Sequence, residues 1–190
     1  MLWVKQPSVM KKHVGVVCLW LSLLAACSPY RIIRNQSDNT ATWSAYHTYA
    51  FVDTTRTGEF PRIAYRAALE QVKQAVGTEL QRWGYQPTND NPDLLVNIGA
   101  VVQEKTQTRQ TNIREAPLYI GQRRYRWQSQ EVPVGTYDEG TVNLHVVDAQ
   151  KNALVWDVAV SSVLNRSTLA PDQINKAVNR VFERFPGRRE

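Results

Sequence analysis

Cysteine is almost missing from this chain: its 190 residues include two, Cys18 and Cys27. A disulfide framework of the kind that staples small secreted domains is excluded. Histidine is equally sparse, with His13, His47 and His145 the whole supply, and no two of them have the His-x-x-x-His spacing of a helical zinc site. No Gly-x-Ser-x-Gly elbow and no glycine-rich phosphate loop occurs, so these signatures of hydrolases and nucleotide enzymes are lacking. Long apolar runs are lacking too. The charge-free apolar stretch over residues 14–26 has 13 residues. As a helix it would measure about 20 Å, against about 30 Å of bilayer hydrocarbon. A permanent membrane span is not expected.

What that stretch can do is target the chain. Lys11 and Lys12 precede it as a positive n-region, and 13 residues suit a secretory h-region. It closes on Leu24-Ala25-Ala26-Cys27. Cleavage between Ala26 and Cys27 puts a small residue at −1 but a bulky leucine at −3, unlike an ordinary signal site. The four residues resemble the lipobox of bacterial lipoproteins: an apolar residue, two small ones, then the cysteine that takes the lipid. The resemblance implies a diacylglyceryl thioether on Cys27 and acylation of its new amino terminus. Ser28 follows where an Asp often signals inner-membrane retention, so the expected address is the outer membrane, with the domain facing the periplasm. Met10-Lys11-Lys12 also opens a signal of ordinary length, leaving Met1 and Met10 as alternative starts.

Residues 1–26 are thus expected to be removed, which takes away Cys18 and leaves Cys27 as the sole cysteine of a 164-residue mature chain. No disulfide and no cysteine metal cluster is then possible. Three of the 23 Lys+Arg go with the signal, leaving 20 against 17 Asp+Glu. That balance does not call for nucleic acid. Residues 27–45 are polar and aperiodic, with Asn35-Gln36-Ser37-Asp38-Asn39-Thr40 reading as a linker. A flexible tether of this length would reach about 20–25 Å.

A single domain is expected over residues 46–186. Tyr46 to Asp53 reads as a strand with Tyr49 and Phe51 on one face. Pro61 suits a first helical turn, and Tyr65, Leu69, Val72, Val76, Leu80 and Trp83 form an apolar stripe closed by Gly84. Gly77 within it is either a weak point or a close packing contact. Leu94, Val96, Ile98, Ala100 and Val102 alternate as a strand. Residues 106–136, rich in Gln, Thr and Arg, read as a long loop or hairpin insertion. Tyr137–Asp148 and Ala153–Val163 form a hairpin. Matching their apolar faces sets Val146 opposite Trp156 and Leu144 opposite Val158, with a three-residue loop Gln150-Lys151-Asn152. Pro171 opens a last helix carrying Ile174, Val178, Val181 and Phe185. The fold class is α+β: an antiparallel or mixed sheet of about four strands, in the order β-α-β-β-β-α, with two helices on one face.

Several motifs in this order are distinctive together: Tyr49-Ala50-Phe51, Asn91-Pro92-Asp93-Leu94-Leu95-Val96, Glu139-Gly140-Thr141-Val142 running to Val147-Asp148, Leu154-Val155-Trp156, and Phe182-Glu183-Arg184-Phe185-Pro186. The arrangement resembles a lipoprotein domain of unknown function, the family numbered 4136, over about residues 46–186. That resemblance implies a cell-envelope lipoprotein with a small α+β domain, and brings no activity and no catalytic residues.

Chemistry is thinly represented. The hairpin register sets His145 opposite Asp157, the orienting half of a catalytic triad; an ordinary cross-strand ion pair explains it equally. Asp90, Asp93, Asp138 and Glu139 lie in turns rather than in a calcium-loop pattern. Arg123-Arg124-Tyr125-Arg126-Trp127 interleaves arginine forks with aromatic rings, a set suited to phosphates, carboxylates or sugars; alternation in a solvated hairpin explains it as well. No catalytic residue, metal or cofactor is assigned, apart from the covalent lipid on Cys27. The expected function is a non-catalytic binding or assembly module anchored to the membrane, with peptidoglycan, lipopolysaccharide or another envelope protein as partner. Alternatives are a periplasmic hydrolase using His145 and Asp157, and a structural subunit oligomerising through a sheet edge.

Overall fold

The computed structural model describes residues 28–52, 63–115 and 128–187. In chain order the elements are β1 (Tyr30–Ser37), a 3-10 turn (Trp43–Ala45), β2 (Thr48–Val52), α1 (Ile63–Arg82), β3 (Gln86–Pro87), β4 (Leu94–Gln110), a second 3-10 turn (Ile113–Glu115), β5 (Glu131–Asp148), β6 (Ala153–Val163) and α2 (Pro171–Phe182). They build one six-stranded mixed sheet in the order β1-β6-β5-β4-β2-β3. From β1 to β4 every neighbour is antiparallel; β2 runs parallel to both β4 and β3. The class is α+β, with two more strands than the four read from the sequence.

The alternation in β4 explains the layering. Leu94, Val96 and Ile98 are buried, as are Leu144 and Val146 of β5 and Trp156 and Val158 of β6. These faces join one core with the buried stripes of α1 (Val76, Leu80) and α2 (Ile174, Val178, Val181, Phe182). Helix α1 ends in a Schellman cap. Gly84 adopts φ +94°, its amide donates to the Gln81 carbonyl, and that of Tyr85 donates to Leu80. Gly77 is a packing contact: a β-carbon there would stand 3.4 Å from the Tyr49 hydroxyl oxygen, and that hydroxyl donates to the Gly77 carbonyl.

Just past α2, Phe185 packs edge-on against Trp43, Trp83, Tyr85 and Trp156, with ring centroids 5.1, 5.3, 5.8 and 4.8 Å away. The closing Phe182–Pro186 motif therefore supplies the hub of an aromatic cluster.

Three sequence expectations are corrected. First, residues 28–45 of the expected 27–45 tether are not free. Tyr30–Ser37 is an edge strand on β6, the Trp156 indole donates to the Asn35 side chain at 2.9 Å, and the Asp38 amide donates to Val155 at 3.0 Å. Backbone pairing, not apolar alternation, makes this strand. Second, the insertion expected at 106–136 as a long loop or hairpin is a hairpin arm of the sheet where it is described: β4 and β5 stay paired out to Gln110 and Glu131, with a bulge where Val134 is inserted beside Pro133. Side chains along this arm are largely exposed, so polar residues suffice there. Third, the hairpin pairs Val146 with Trp156 and Leu144 with Val158 as expected, but a bulge at Val155 shifts the tip. Asp148 faces Ala153, the loop is the four residues 149–152, Leu154 turns outward (48% exposed) and Val155 inward (2%). Asn152 still takes the left-handed position, at φ +49°.

Truncating the aromatic hub, Phe185→Ala, is expected to cost about 3–5 kcal/mol in urea unfolding and to erase the near-ultraviolet circular dichroism of the ring cluster. Gly84→Ala, which forces a β-carbon into left-handed backbone, is expected to cost about 1–2 kcal/mol.

Candidate functional site

Two arrangements on opposite faces of the sheet invite a functional reading. The first is polar and crosses three strands. His145 on β5 faces Asp157 on β6, with Nε2 3.3 Å from Oδ1. Arg34 on β1 reaches over them: its Nε lies 2.7 Å from Asp157 Oδ2, and its Nη2 donates to Asn143 Oδ1 at 3.2 Å. Asp157 is buried (7% exposed) under these groups. The arginine was invisible to sequence reasoning because its strand reads as linker; the cue was the aromatic and β-branched run Tyr30-Arg31-Ile32-Ile33.

Chemically this is a carboxylate shared by a guanidinium and an imidazole, and it leaves little of a triad. The hydroxyls nearest in sequence are engaged elsewhere. Ser161 donates to Glu139 Oε1 at 2.6 Å, and Ser162 donates to the Pro29 carbonyl at 2.9 Å. Ser161 stands four residues along β6 from Asp157, about 13 Å at strand rise. Among the described residues no three His, Cys, Asp or Glu side chains are grouped to hold a metal.

The other carboxylates stitch the fold. Asp93 accepts the amides of His47 and Thr48 at 2.8 and 2.9 Å and the Thr48 hydroxyl at 2.9 Å, while the Asp93 amide donates back to Thr48 Oγ1 at 3.0 Å. Asn91, at φ +45°, turns the chain into this clasp. Asp148 accepts the Tyr46 hydroxyl at 2.8 Å and the amides of Gln150 and Lys151 at 2.9 Å. Backbone amides, chiefly those of His47 and Lys151, hold both carboxyls below the usual aspartate range. Tyr46 is pushed up to about 12, by burial first and then by its bond to Asp148. Asp138 accepts the Tyr65 hydroxyl at 2.5 Å, tying α1 to β5.

The second arrangement is an apolar groove of about 150 Å³ between α1, α2 and the sheet, partly open and walled almost wholly by hydrocarbon. Small residues leave the space: Ala68 on α1, Ala177 on α2 and Ala100 on β4 line it. Val142 and Val160 line it from the sheet, and Pro29 and Tyr30 also line it. Gly140 on β5 is a further lining residue; a β-carbon there would stand 2.8 Å from Leu164 Cδ2, so the end of that side chain would have to shift.

Cys27, with Ala26 before it, and the cluster Arg123, Arg124, Tyr125, Arg126 and Trp127 lie outside the described residues. No described helix is long and apolar enough to cross a membrane.

A family model described as a domain of unknown function, DUF4136, matches residues 33–187. The chain belongs to that family. The DUF4136 match begins inside β1, upstream of the residue 46 expected from motifs alone, so it takes in most of that strand. No curated protein matches. Among solved structures, a PDZ domain protein from Parabacteroides distasonis is similar, with a TM-score of 0.50, 10% identity, and coverage of 93% of this chain and 41% of that one. This chain thus spans less than half the length of that protein, and at such identity the likeness concerns the fold alone. Two PelC dodecamer structures from Paraburkholderia phytofirmans give TM-scores of 0.48 and 0.47 at 13% identity, each covering 84% of this chain and 98% and 99% of their own.

The DUF4136 carboxylates generate a pH prediction. Asp93 and Asp148 bind protons less tightly in the folded chain than an ordinary aspartate does. Their contribution is therefore full above about pH 4 and lost as pH falls through the lower folded values. Thermal unfolding followed from neutral pH to about pH 3 should show the wild type losing stability on acidification. Asp93→Asn should be less stable at neutral pH and flatter with acid; a curve parallel to wild type would contradict the clasp.

Proposed function

We propose that this protein is a lipoprotein of the cell envelope, held on the outer membrane by lipid on Cys27, whose domain is a non-catalytic binding or assembly module. The observation that carries the reading is Leu24-Ala25-Ala26-Cys27 at the end of a 13-residue apolar run behind Lys11 and Lys12. Cys27 would be the sole cysteine after cleavage, so lipidation competes with no disulfide. One acyl chain gives marginal membrane binding and several anchor firmly. Only Ser28 and Pro29 separate the cysteine from β1, so the lipid would hold the domain hard against the bilayer. Peptidoglycan, lipopolysaccharide or a neighbouring envelope protein are the partners within reach, and Arg123, Arg124 and Arg126 with Tyr125 and Trp127 are the side chains chemically suited to them.

The engaged hydroxyls of Ser161 and Ser162 and the arginine on Asp157 weigh against the hydrolase alternative. Oligomerisation through a sheet edge is disfavoured by the edges themselves. β1 carries a bulge between Ile32 and Arg34, and the other edge, β3, is two residues long and contains Pro87; both features blunt further strand pairing.

Cys27→Ser tests the anchor. Cells fed a labelled fatty acid should incorporate label into the wild-type protein and carry it in the membrane fraction; the variant should lose both. A variant that stays labelled and membrane-bound would rule the assignment out.

A further inference from the structure

The groove between the helices and the sheet is lined by Pro29 and Tyr30, two and three residues after the one expected to carry lipid. We infer that an acyl chain of the Cys27 lipid occupies this groove; the inference rests on the anchor proposed above. Three observations carry it.

The first is shape. The groove is lined from Tyr65 to Val76 of α1, a distance of about 16 Å at helical rise, and Ala68, Ala100 and Ala177 keep its length open. A long, narrow apolar trough suits a hydrocarbon chain better than a compact ring. Its volume of about 150 Å³ matches dry apolar cavities that admit benzene, or roughly six carbons fully enclosed. The rest of the chain would lie along the open part.

The second is position. Pro29 and Tyr30 line the groove, and the chain is fixed there. Ser162 donates to the Pro29 carbonyl at 2.9 Å, and the Tyr30 hydroxyl donates to the Lys176 carbonyl on α2 at 3.4 Å. Cys27 is two residues before Pro29, so its α-carbon lies within about 7 Å of that point whatever path the chain takes. The part of the protein that precedes β1 therefore starts at residues that line the groove.

The third is chemistry. The lipid implied by the lipobox has three chains, and two suffice for stable anchoring. One can leave the bilayer for an apolar site of equal affinity for hydrocarbon without releasing the protein. It would also fill a groove that the small residues otherwise leave empty against the core.

The test uses the full chain made in bacterial cells fed a fatty acid bearing a diazirine and an alkyne. After irradiation, the protein is digested and its crosslinked peptides identified by mass spectrometry. The expected product joins the Cys27 peptide to peptides of α1 or α2 that line the groove. Ala177→Leu and, from the sheet side, Val160→Phe fill the groove and should each lose that product while Cys27 keeps its alkyne label and circular dichroism shows the fold intact. A labelled Cys27 that crosslinks only outside the groove overturns the inference, and so does a groove peptide carrying phospholipid instead of the Cys27 peptide. Absence of label from Cys27 is a separate readout: it removes the anchor itself, and this occupancy with it.

Discussion

The ring of Phe185 is the contact on which the rest of the fold closes. Five aromatic side chains surround it: Trp43 before β2, Trp83 and Tyr85 at the end of α1, Trp156 in β6, and Phe182 in α2. Edge-to-face pairs of this kind contribute about 0.5–1.5 kcal/mol each beyond the area they bury. The importance of the cluster lies in what it joins. Residues 43 and 185 are near opposite ends of the folded chain, and the hub joins the ends of both helices to β6 and to the segment before β2. Trp156 adds a further link, because its indole also holds Asn35 of the edge strand.

The N-terminal segment is drawn in by the same constraint. Trp43 packs on Phe185, Asn35 on Trp156, and Arg34 on Asp157. What reads as a polar spacer is thus held at three points by side chains and along its length by β6. For function, the consequence is distance. A lipid on Cys27 would sit at the first residues of a rigid strand instead of at the end of a flexible cord.

Elements that bury one face in a regular period were legible in the sequence. The stripes of α1 and α2 and the pairing of Val146 with Trp156 and of His145 with Asp157 follow from periods of 3.6 and 2. Three things carry no such period. An edge strand such as β1 has a partner on one side only and needs few apolar residues. The outer part of β4 and β5 is solvated on both faces, so its strands look like loop. The bulge at Val155 inserts one residue that alternation cannot announce: a strict period of 2 would put Leu154 on the face of Trp156 and Val158, and it lies outside. The groove was hidden for a different reason: it is made by side chains that are small, and a missing side chain leaves no mark on hydropathy. Of the candidate site, the His145–Asp157 pair was readable from register, while Arg34 required knowing that β1 exists.

The central proposal is that a lipid anchor on Cys27 abuts the domain. Neutron reflectometry on the lipidated protein in a supported bilayer measures this directly, as the thickness of solvent between headgroups and protein. The expected result is domain density beginning within about 10 Å of the headgroups, the reach of three extended residues. A solvent-filled layer of about 20–25 Å, as a flexible tether through residue 45 would give, would contradict it.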